Sequence, residues 1–176
     1  FGEIKFVMNG RNMGYGAANN QGIKRAQGKY IVIMNPDTSA TKDVFIKLFD
    51  FMENNPRVGV VGSKQFNLDK TIQDTCFRWP KFFTPLYRRT PLGRIGSAKK
   101  DLDRFLYKDY NKNSPMEVNW LLGSFLFCRA EALRQVGGFD ERFFLYLEDT
   151  DLCRRFWQAG WQAVYYPGAE IKHNHL

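Results

Sequence analysis

Short apolar runs alternate with amphipathic segments along the first third of the chain. Ile4–Met8 is a strand-like run, and the continuous apolar stretches at Tyr30–Met34 and Arg57–Gly62 are typical of strands buried in a sheet. Between them, Tyr15–Ala26 follows a Gly- and Asn-rich turn, and Val44–Glu53 carries apolar residues at helical spacing. This order predicts βαβ units, and therefore a doubly wound α/β sheet with helices on both sides.

The pattern changes in a basic-aromatic segment, residues 77–115, which mixes Arg and Lys with Phe, Tyr and Trp and is interrupted by prolines. We expect an excursion from the sheet with short helical pieces, the clearest at Leu102–Tyr110. Strand-like sequence resumes on both sides of Gly123. The remaining predicted elements are a helix and two strands, at Glu148–Ala159, Gln162–Tyr166 and Glu170–His173. Residues 1–176 therefore form one predicted domain.

Charge and cysteine content restrict the partners and the compartment. The formal net charge of +8 favours anionic partners, namely nucleic acid, phosphorylated ligands or a membrane with anionic lipids. Cys76, Cys128 and Cys153 form no CxxC pair, which fits a reducing cytosol. The sequence has no run of about 18 apolar residues, the length that a membrane-spanning helix needs.

One candidate site is the tripeptide Asn35-Pro36-Asp37, which directly follows a predicted buried strand. Open α/β sheets bind ligands at such strand ends, and a carboxylate there can hold a divalent ion on a diphosphate. The alternative is a simple turn, because Asn, Pro and Asp are common turn residues.

A second candidate is the acidic start of the predicted helix, Glu148–Asp151. Helical spacing places Asp149 on the apolar, inward face, whereas Asp151 lies four residues before Arg155 on a solvent face. An inward carboxylate is suited to general-base catalysis because burial raises its proton affinity. The alternative is that these residues only interact favourably with the helix dipole.

Two weaker signals remain open. His173 follows a predicted strand and could reach a metal, although a lone histidine is more often a hydrogen-bonded structural residue. Gly14 and Gly16, with Asp37 about 20 residues on, imitate a dinucleotide-binding fingerprint and give a rival hypothesis, an NAD-dependent dehydrogenase. Asn19 occupies the third fingerprint position, where Gly or Ala is expected.

The basic-aromatic segment permits three interpretations. It could be a solvated loop, a surface that meets a lipid-linked or polymeric acceptor, or a site that stacks bases of a nucleic acid. We favour the first two and expect no nucleic-acid partner.

Four stretches in this order resemble the family 2 glycosyltransferases, most closely their bacterial rhamnosyltransferase-like branch. They are NGRNMGYGAANNQGI, YIVIMNPDT, WLLGSFLFCRAEALRQVGGFDERFFLYLEDTDLCRRFWQAGW and IKHNH. The resemblance implies the GT-A fold, a Rossmann-like α/β domain with a mixed, mostly parallel sheet. The family's first strand and its base-contacting Asp have no counterpart here, so we expect the domain to be incomplete at its N-terminus.

The resemblance also implies roles for individual residues. Asn35 and Asp37 match the family's DxD-type motif, so that Asp37 would lie at the metal and the donor diphosphate. Asp149 matches the catalytic base and Glu148 its neighbour, while Gly123 would lie beside the donor sugar. The other implied positions are on the nucleotide side, the acceptor side and the metal, at Arg11, Asn12, Trp120, Asp151 and His173.

The implied enzyme is an inverting glycosyltransferase of bacterial cell-wall or polysaccharide biosynthesis. It would use Mg²⁺ or Mn²⁺ and move a sugar, with rhamnose suggested by the branch, from a nucleoside-diphosphate donor to a cell-surface glycan or lipid-linked acceptor. We expect a cytoplasmic protein, peripheral at the inner membrane face, and homo-oligomers through an unpaired sheet edge. The alternatives are a non-catalytic remnant that binds glycans or partners and, less favoured, the dehydrogenase.

Overall fold

A computed structural model describes residues 4–174. The helices are α1 (Tyr15–Arg25), α2 (Lys42–Asn54), α3 (Thr84–Arg89), α4 (Gly96–Phe105), α5 (Ala130–Val136) and α6 (Glu148–Gln158), with a 3₁₀ helix at Pro91–Arg94. The strands are β1 (Tyr30–Met34), β2 (Thr38–Ser39), β3 (Val58–Phe66), β4 (Cys76–Phe77), β5 (Met116–Glu117), β6 (Trp120–Leu121), β7 (Phe125–Arg129) and β8 (Gln162–His173).

The central sheet is mixed and has the order β1-β7-β3-β8-β2, with β5 paired to β8. Strands β1, β3 and β8 share one direction, because β7 is antiparallel to both β1 and β3 and β8 is parallel to β3. The predicted α/β class is therefore confirmed. Among the ladders of this sheet only β3–β8 is parallel, because β7 returns from the basic-aromatic segment and inserts between β1 and β3 in the antiparallel direction.

Helices cover both faces of the sheet, as predicted. On one face, α2 packs Val44, Leu48 and Met52 against the sheet. On the other face, α5 and α6 contribute the buried side chains Leu133 and Phe156. All five residues of β7 are buried, which is the continuous apolar pattern of a strand covered on both sides.

Two apolar runs differ from what the sequence predicts. Ile4–Met8 forms no strand, and Phe6 and Met8 are exposed, because no strand of the sheet pairs with this stretch within the described residues. In β1, Ile31 and Ile33 are buried whereas Val32 is exposed. The reason is that β1 is an edge strand whose second face is only partly covered.

A small second sheet, in which β4 pairs with β6, flanks the basic-aromatic segment on both sides along the chain. Between them lie α3, the 3₁₀ helix and α4. The helix predicted at Leu102–Tyr110 is only partly present, because α4 ends at Phe105 and Tyr107 has a positive φ of 51°. None of the helices in residues 4–174 is both long and apolar enough to cross a bilayer.

Candidate active site

The dipeptide Gly123-Ser124, between β6 and β7, connects the two acidic segments. The amide of Gly123 donates a hydrogen bond to Asp149 Oδ2 at 2.9 Å. The carbonyl of the next residue, Ser124, accepts one from the amide of Asn35 at 2.9 Å. Consecutive residues of one loop therefore hold the start of α6 and the end of β1 together.

Asp149 is half-buried in the first turn of α6, and its second carboxylate oxygen is also bonded. Asp149 Oδ1 accepts from the amide of Thr150 at 2.7 Å. Burial raises the pKa of Asp149 above the usual aspartate value, although the amides of Gly123 and Thr150 act in the opposite direction. The result is a carboxylate with increased proton affinity that is held in a defined orientation.

The two other acidic residues of this turn have different environments. Glu148 is buried, burial raises its pKa, and its Oε2 has no hydrogen-bond partner among residues 4–174. Asp151 forms an ion pair with Arg155, four residues further along α6, with Oδ2 at 2.7 Å from Nε. Arg155 also donates to the carbonyls of Val136 and Gly138, so this pair fixes α6 against the loop that follows α5.

At the end of β1, Asp37 lies next to the last residues of β8. Strand β2 pairs Thr38 with His173, and the amide of Asn174 donates to the carbonyl of Asp37 at 2.9 Å. His173 Nε2 lies 3.4 Å from Asp37 Oδ1. The other ring nitrogen, Nδ1, is 2.9 Å from Gln73 Oε1, which orients the imidazole.

The donor atoms at this strand end fit a hard divalent cation. Three side-chain oxygens, on Asn35, Asp37 and Asn174, are buried without a hydrogen-bond partner among the described residues. Oxygen ligands of this kind suit Mg²⁺ or Mn²⁺, and an imidazole nitrogen is compatible with Mn²⁺. In residues 4–174, no three His, Cys, Asp or Glu side chains are placed to hold one ion. The side-chain amide oxygens of Asn35 and Asn174 would therefore be needed to complete such a site.

Arg11 and Asn12 lie in an exposed loop before α1, where Asn12 Oδ1 accepts from the amide of Gly14 at 2.9 Å. A Cβ on Gly14, whose φ is 84°, would lie 2.5 Å from the carbonyl oxygen of Phe144. One on Gly16 would lie 3.1 Å from Phe139 Cβ. Close packing against the segment before α6 thus explains both glycines of the apparent dinucleotide fingerprint.

Trp120, expected on the acceptor side, lies in the core. Its ring stacks on Phe77 with centroids 4.2 Å apart, and its Nε1 donates to the carbonyl of Arg78 at 3.0 Å. The side chain is only 7% exposed. An acceptor would have to contact other residues, because this indole is buried, stacks on Phe77 and has its Nε1 bonded to a backbone carbonyl.

A cavity of about 750 Å³ lies between α6 and the basic-aromatic segment, on the face of α6 that carries Thr150, Asp151 and Arg154. It is lined by aromatic, apolar and charged side chains, namely Trp79, Pro80, Phe143, Leu147, Thr150, Asp151, Arg154, Trp157 and Gln158. Asp151 is the only one of these that the sequence singled out for the acceptor side. Trp79 and Arg154 also line the cavity, but no sequence pattern distinguishes them from ordinary surface residues.

Two further residues of the site, Tyr15 and Asn174, were not predicted from the sequence. The Tyr15 hydroxyl donates to the carbonyl of Gly123 at 2.6 Å, and Asn174 supplies a buried oxygen. The available signals were the position of Tyr15 at a helix start after a glycine, and the position of Asn174 directly after a strand.

This arrangement of a mixed sheet with polar residues at its strand ends defines the GT-A class of glycosyltransferase folds. GalNAc-T7, solved with UDP, GalNAc and Mn²⁺, superposes with a TM-score of 0.65 at 13% identity, covering 95% of this chain and 31% of that one. The mannosyltransferase PcManGT from Pyrobaculum calidifontis, solved with GDP-Man and Mn²⁺, gives a TM-score of 0.57 at 17% identity, covering 95% and 38%. These likenesses establish the fold.

The chain belongs to the glycosyl transferase family group 2, whose sequence description matches residues 30–175. It is 29% identical over 97% of its length to N-acetylglucosaminyl-diphospho-decaprenol L-rhamnosyltransferase of Mycobacterium tuberculosis. It is 26% identical over 91% of its length to the rhamnosyltransferase WbbL of Escherichia coli K12. The chain spans 59% and 60% of these two relatives.

Proposed function

We propose that this chain is the catalytic domain of an inverting glycosyltransferase in which Asp149 is the general base and Asp37 lies at the donor diphosphate. The observation that carries the proposal is the double connection through Gly123-Ser124, which bonds the carboxylate of Asp149 and the backbone of Asn35. A glycosyl transfer needs a base and a diphosphate site on either side of one sugar. The family membership of residues 30–175 supports the same assignment.

In the proposed reaction, Asp149 removes the proton of the acceptor hydroxyl while its oxygen attacks the anomeric carbon of the donor sugar. A new glycosidic bond forms, the bond to the diphosphate breaks, and the nucleoside diphosphate leaves with the electron pair. The raised pKa of Asp149 favours this role because it increases the proton affinity of the carboxylate.

Asp37, Asn35, Asn174 and His173 would hold Mg²⁺ or Mn²⁺. When bound, the ion would neutralise charge on the departing diphosphate. The chain's own contribution is to preorganise these donors: β2 pairs with the end of β8, and Asn174 bonds to the backbone of Asp37. Glu148 is proposed to support Asp149, and Arg11 and Asn12 to line the nucleotide side.

Rhamnose is the sugar that we propose for the donor, because two relatives are named rhamnosyltransferases. A lipid-linked acceptor is proposed because the name of the mycobacterial relative includes such a diphosphate. The cavity between α6 and the basic-aromatic segment, with Asp151 and Arg154 in its wall, would receive the acceptor. This assignment implies action at the cytoplasmic face of the membrane.

Calorimetric titration tests the donor side of the proposal. UDP, dTDP and GDP are titrated into the protein with and without Mn²⁺, and into Asp37→Ala. We expect one nucleoside diphosphate to bind in a Mn²⁺-dependent manner, with affinity reduced about tenfold or more in Asp37→Ala. The matched control is Asp43→Ala, at an exposed position in the first turn of α2. Equal affinity with and without Mn²⁺, or an unchanged Asp37→Ala, would remove the metal site.

A further inference from the structure

Residues 82–95, which contain α3 and the 3₁₀ helix and which we call the hairpin, expose large apolar side chains to solvent. Phe82 is 91% exposed and Ile95 is 65% exposed, and three more exposed side chains lie between them, those of Phe83, Leu86 and Leu92. We call these five residues the apolar rim. Exposed apolar side chains concentrated in a short stretch in this way are a feature of interaction sites.

The hairpin itself is well packed, so this exposure does not reflect a loose loop. A Cβ on Gly93 would collide with the carbonyl of Tyr87, which shows how closely the 3₁₀ helix approaches α3. Arg88 lies over the rings of Phe77 and Phe105, 5.6 Å from each centroid, and connects α3 to the core. The apolar rim therefore projects from a fixed base.

Positive charge surrounds the apolar rim and is largely uncompensated. Residues 81–100 contain six Lys or Arg residues and no Asp or Glu. Lys81 and Lys99 are paired with Asp101 and Asp103 of α4. The remaining four, Arg88, Arg89, Arg94 and Lys100, are exposed and have no ion-pair partner within residues 4–174.

Apolar side chains interleaved with free cations match the two layers of an anionic bilayer surface, since the head groups bind the cations and the acyl boundary receives the apolar groups. A nucleic acid would be recognised mainly by stacking on aromatic rings. Three of the five rim residues are aliphatic or branched, Leu86, Leu92 and Ile95, and offer no such platform. We propose that the apolar rim and its cations dock this protein onto a membrane that contains anionic lipids.

The position of the rim gives this docking a consequence, which rests on the proposed function. Trp79 and Pro80, just before the rim, line the cavity between the basic-aromatic segment and α6, together with Thr150 and Arg154 of α6. A bilayer on the rim would therefore bring lipid-anchored molecules close to the cavity that is proposed to receive the acceptor.

Vesicle co-sedimentation tests the docking without requiring catalysis. The protein is mixed with vesicles of phosphatidylcholine alone, or of phosphatidylcholine and phosphatidylglycerol in equal amounts. We expect binding only to the anionic vesicles and its loss in high salt. The pairs Phe82→Ser/Ile95→Ser and Arg89→Glu/Arg94→Glu should each weaken binding about tenfold or more.

The matched controls alter the same residue types elsewhere on the surface. Ile46→Ser/Leu68→Ser and Lys42→Glu/Lys47→Glu change exposed residues outside the hairpin and should bind as the unaltered protein does. Equal binding to both vesicle types, an equal loss in the controls, or self-association in solution that the rim variants abolish would overturn the proposal. If vesicle binding is absent while Mn²⁺-dependent nucleotide binding persists, this inference fails and the proposed function stands.

Discussion

The amide of Gly123 holds the carboxylate of Asp149 at 2.9 Å. The carbonyl of the same glycine accepts the hydroxyl of Tyr15 at 2.6 Å. One of the two backbone amides that orient the proposed base therefore belongs to a residue that is itself bonded to α1. This relationship connects the N-terminal helix to the chemistry at the start of α6.

Asp149→Asn should abolish most turnover and leave donor binding intact, because the amide keeps the shape of the side chain but cannot accept a proton. A rate lower by about 10²- to 10⁴-fold is expected, the usual contribution of a general base. Initial rates of nucleoside diphosphate release measure this effect, and calorimetry measures the donor affinity. Asp50→Asn, at an exposed position on α2, is the matched control. Turnover in Asp149→Asn equal to that of the control would remove Asp149 as the base.

The raised pKa of Asp149 predicts a pH dependence of stability. The folded-state pKa of Asp149 lies above its unfolded-state pKa, so the free energy of unfolding decreases as pH rises through the folded-state value. This decrease is absent below the ordinary aspartate pKa of about 3.9. The melting temperature of Asp149→Asn minus that of the unaltered protein should therefore increase from acid to neutral pH. Thermal melts across this range measure the difference, and a flat or falling one would contradict the burial of this charge.

Gly123→Ala should reduce kcat without unfolding the protein. The added Cβ would lie 3.3 Å from Asp149 Cβ and 3.4 Å from its Oδ2, so the carboxylate must shift. We expect a loss of about tenfold, since small displacements of a catalytic group have large effects on rate. Gly22→Ala is the control, because its Cβ would meet nothing within 4 Å on an exposed face of α1. It should leave kcat unchanged and stabilise the protein by roughly 0.5–1 kcal/mol. Equal kcat values for the two variants would show that the contact does not position the base.

Tyr15→Phe removes the hydroxyl that bonds to Gly123 and preserves the edge contact with Phe139, whose ring centroid is 5.6 Å away. Burial raises the pKa of Tyr15, so the hydroxyl stays protonated and keeps donating throughout the neutral range. The free energy of unfolding should fall by about 1–2 kcal/mol, and kcat should fall while the nucleotide Kd is unchanged. Tyr110→Phe, at an exposed ring, should change neither quantity. A lower stability with an unchanged kcat would limit Tyr15 to a structural role.

Asn20→Ala should be strongly destabilising. The buried amide of Asn20 accepts from the Phe139 amide at 2.8 Å and donates to the Phe139 carbonyl at 2.8 Å. Its removal leaves both backbone groups unsatisfied, at a cost of about 2–4 kcal/mol in the free energy of unfolding. Asn54→Ala removes an exposed side chain that bonds to the carbonyl of Asp50 and should change stability by less than about 0.5 kcal/mol. Urea denaturation measures both values, and similar losses would contradict the bridging role of Asn20.

Much of the local structure followed from the sequence. Helix α1 and strand β1 begin at their predicted residues, and α2 and α6 extend at most two residues beyond or short of their predicted ends. The reason is that helical and strand periodicity is a local property. The different environments of Asp149 and Asp151 followed from the same periodicity, since only Asp151 lies four residues from Arg155.

The failures depend on partners that are distant along the chain. The place of β7 between β1 and β3 is a choice among pairings that the apolar pattern does not distinguish. Trp120 is buried because Phe77, from the other end of the basic-aromatic segment, stacks on it. The oxygen of Asn174 becomes part of the candidate metal site only because β8 returns beside β2.

Strand β8 also has a consequence for how the protein is made. It lies inside the sheet, where it pairs with β3, β2 and β5, yet it is the last strand of the described chain. Val60 of β3, for example, pairs with Ala163, about 100 residues further along the chain. Until β8 has been synthesised, the side of β3 that faces away from β7 is unpaired, and β2 has no partner strand. Such late, long-range pairing slows folding and exposes sticky surface. We expect the nascent polypeptide to be prone to aggregation until β8 has emerged.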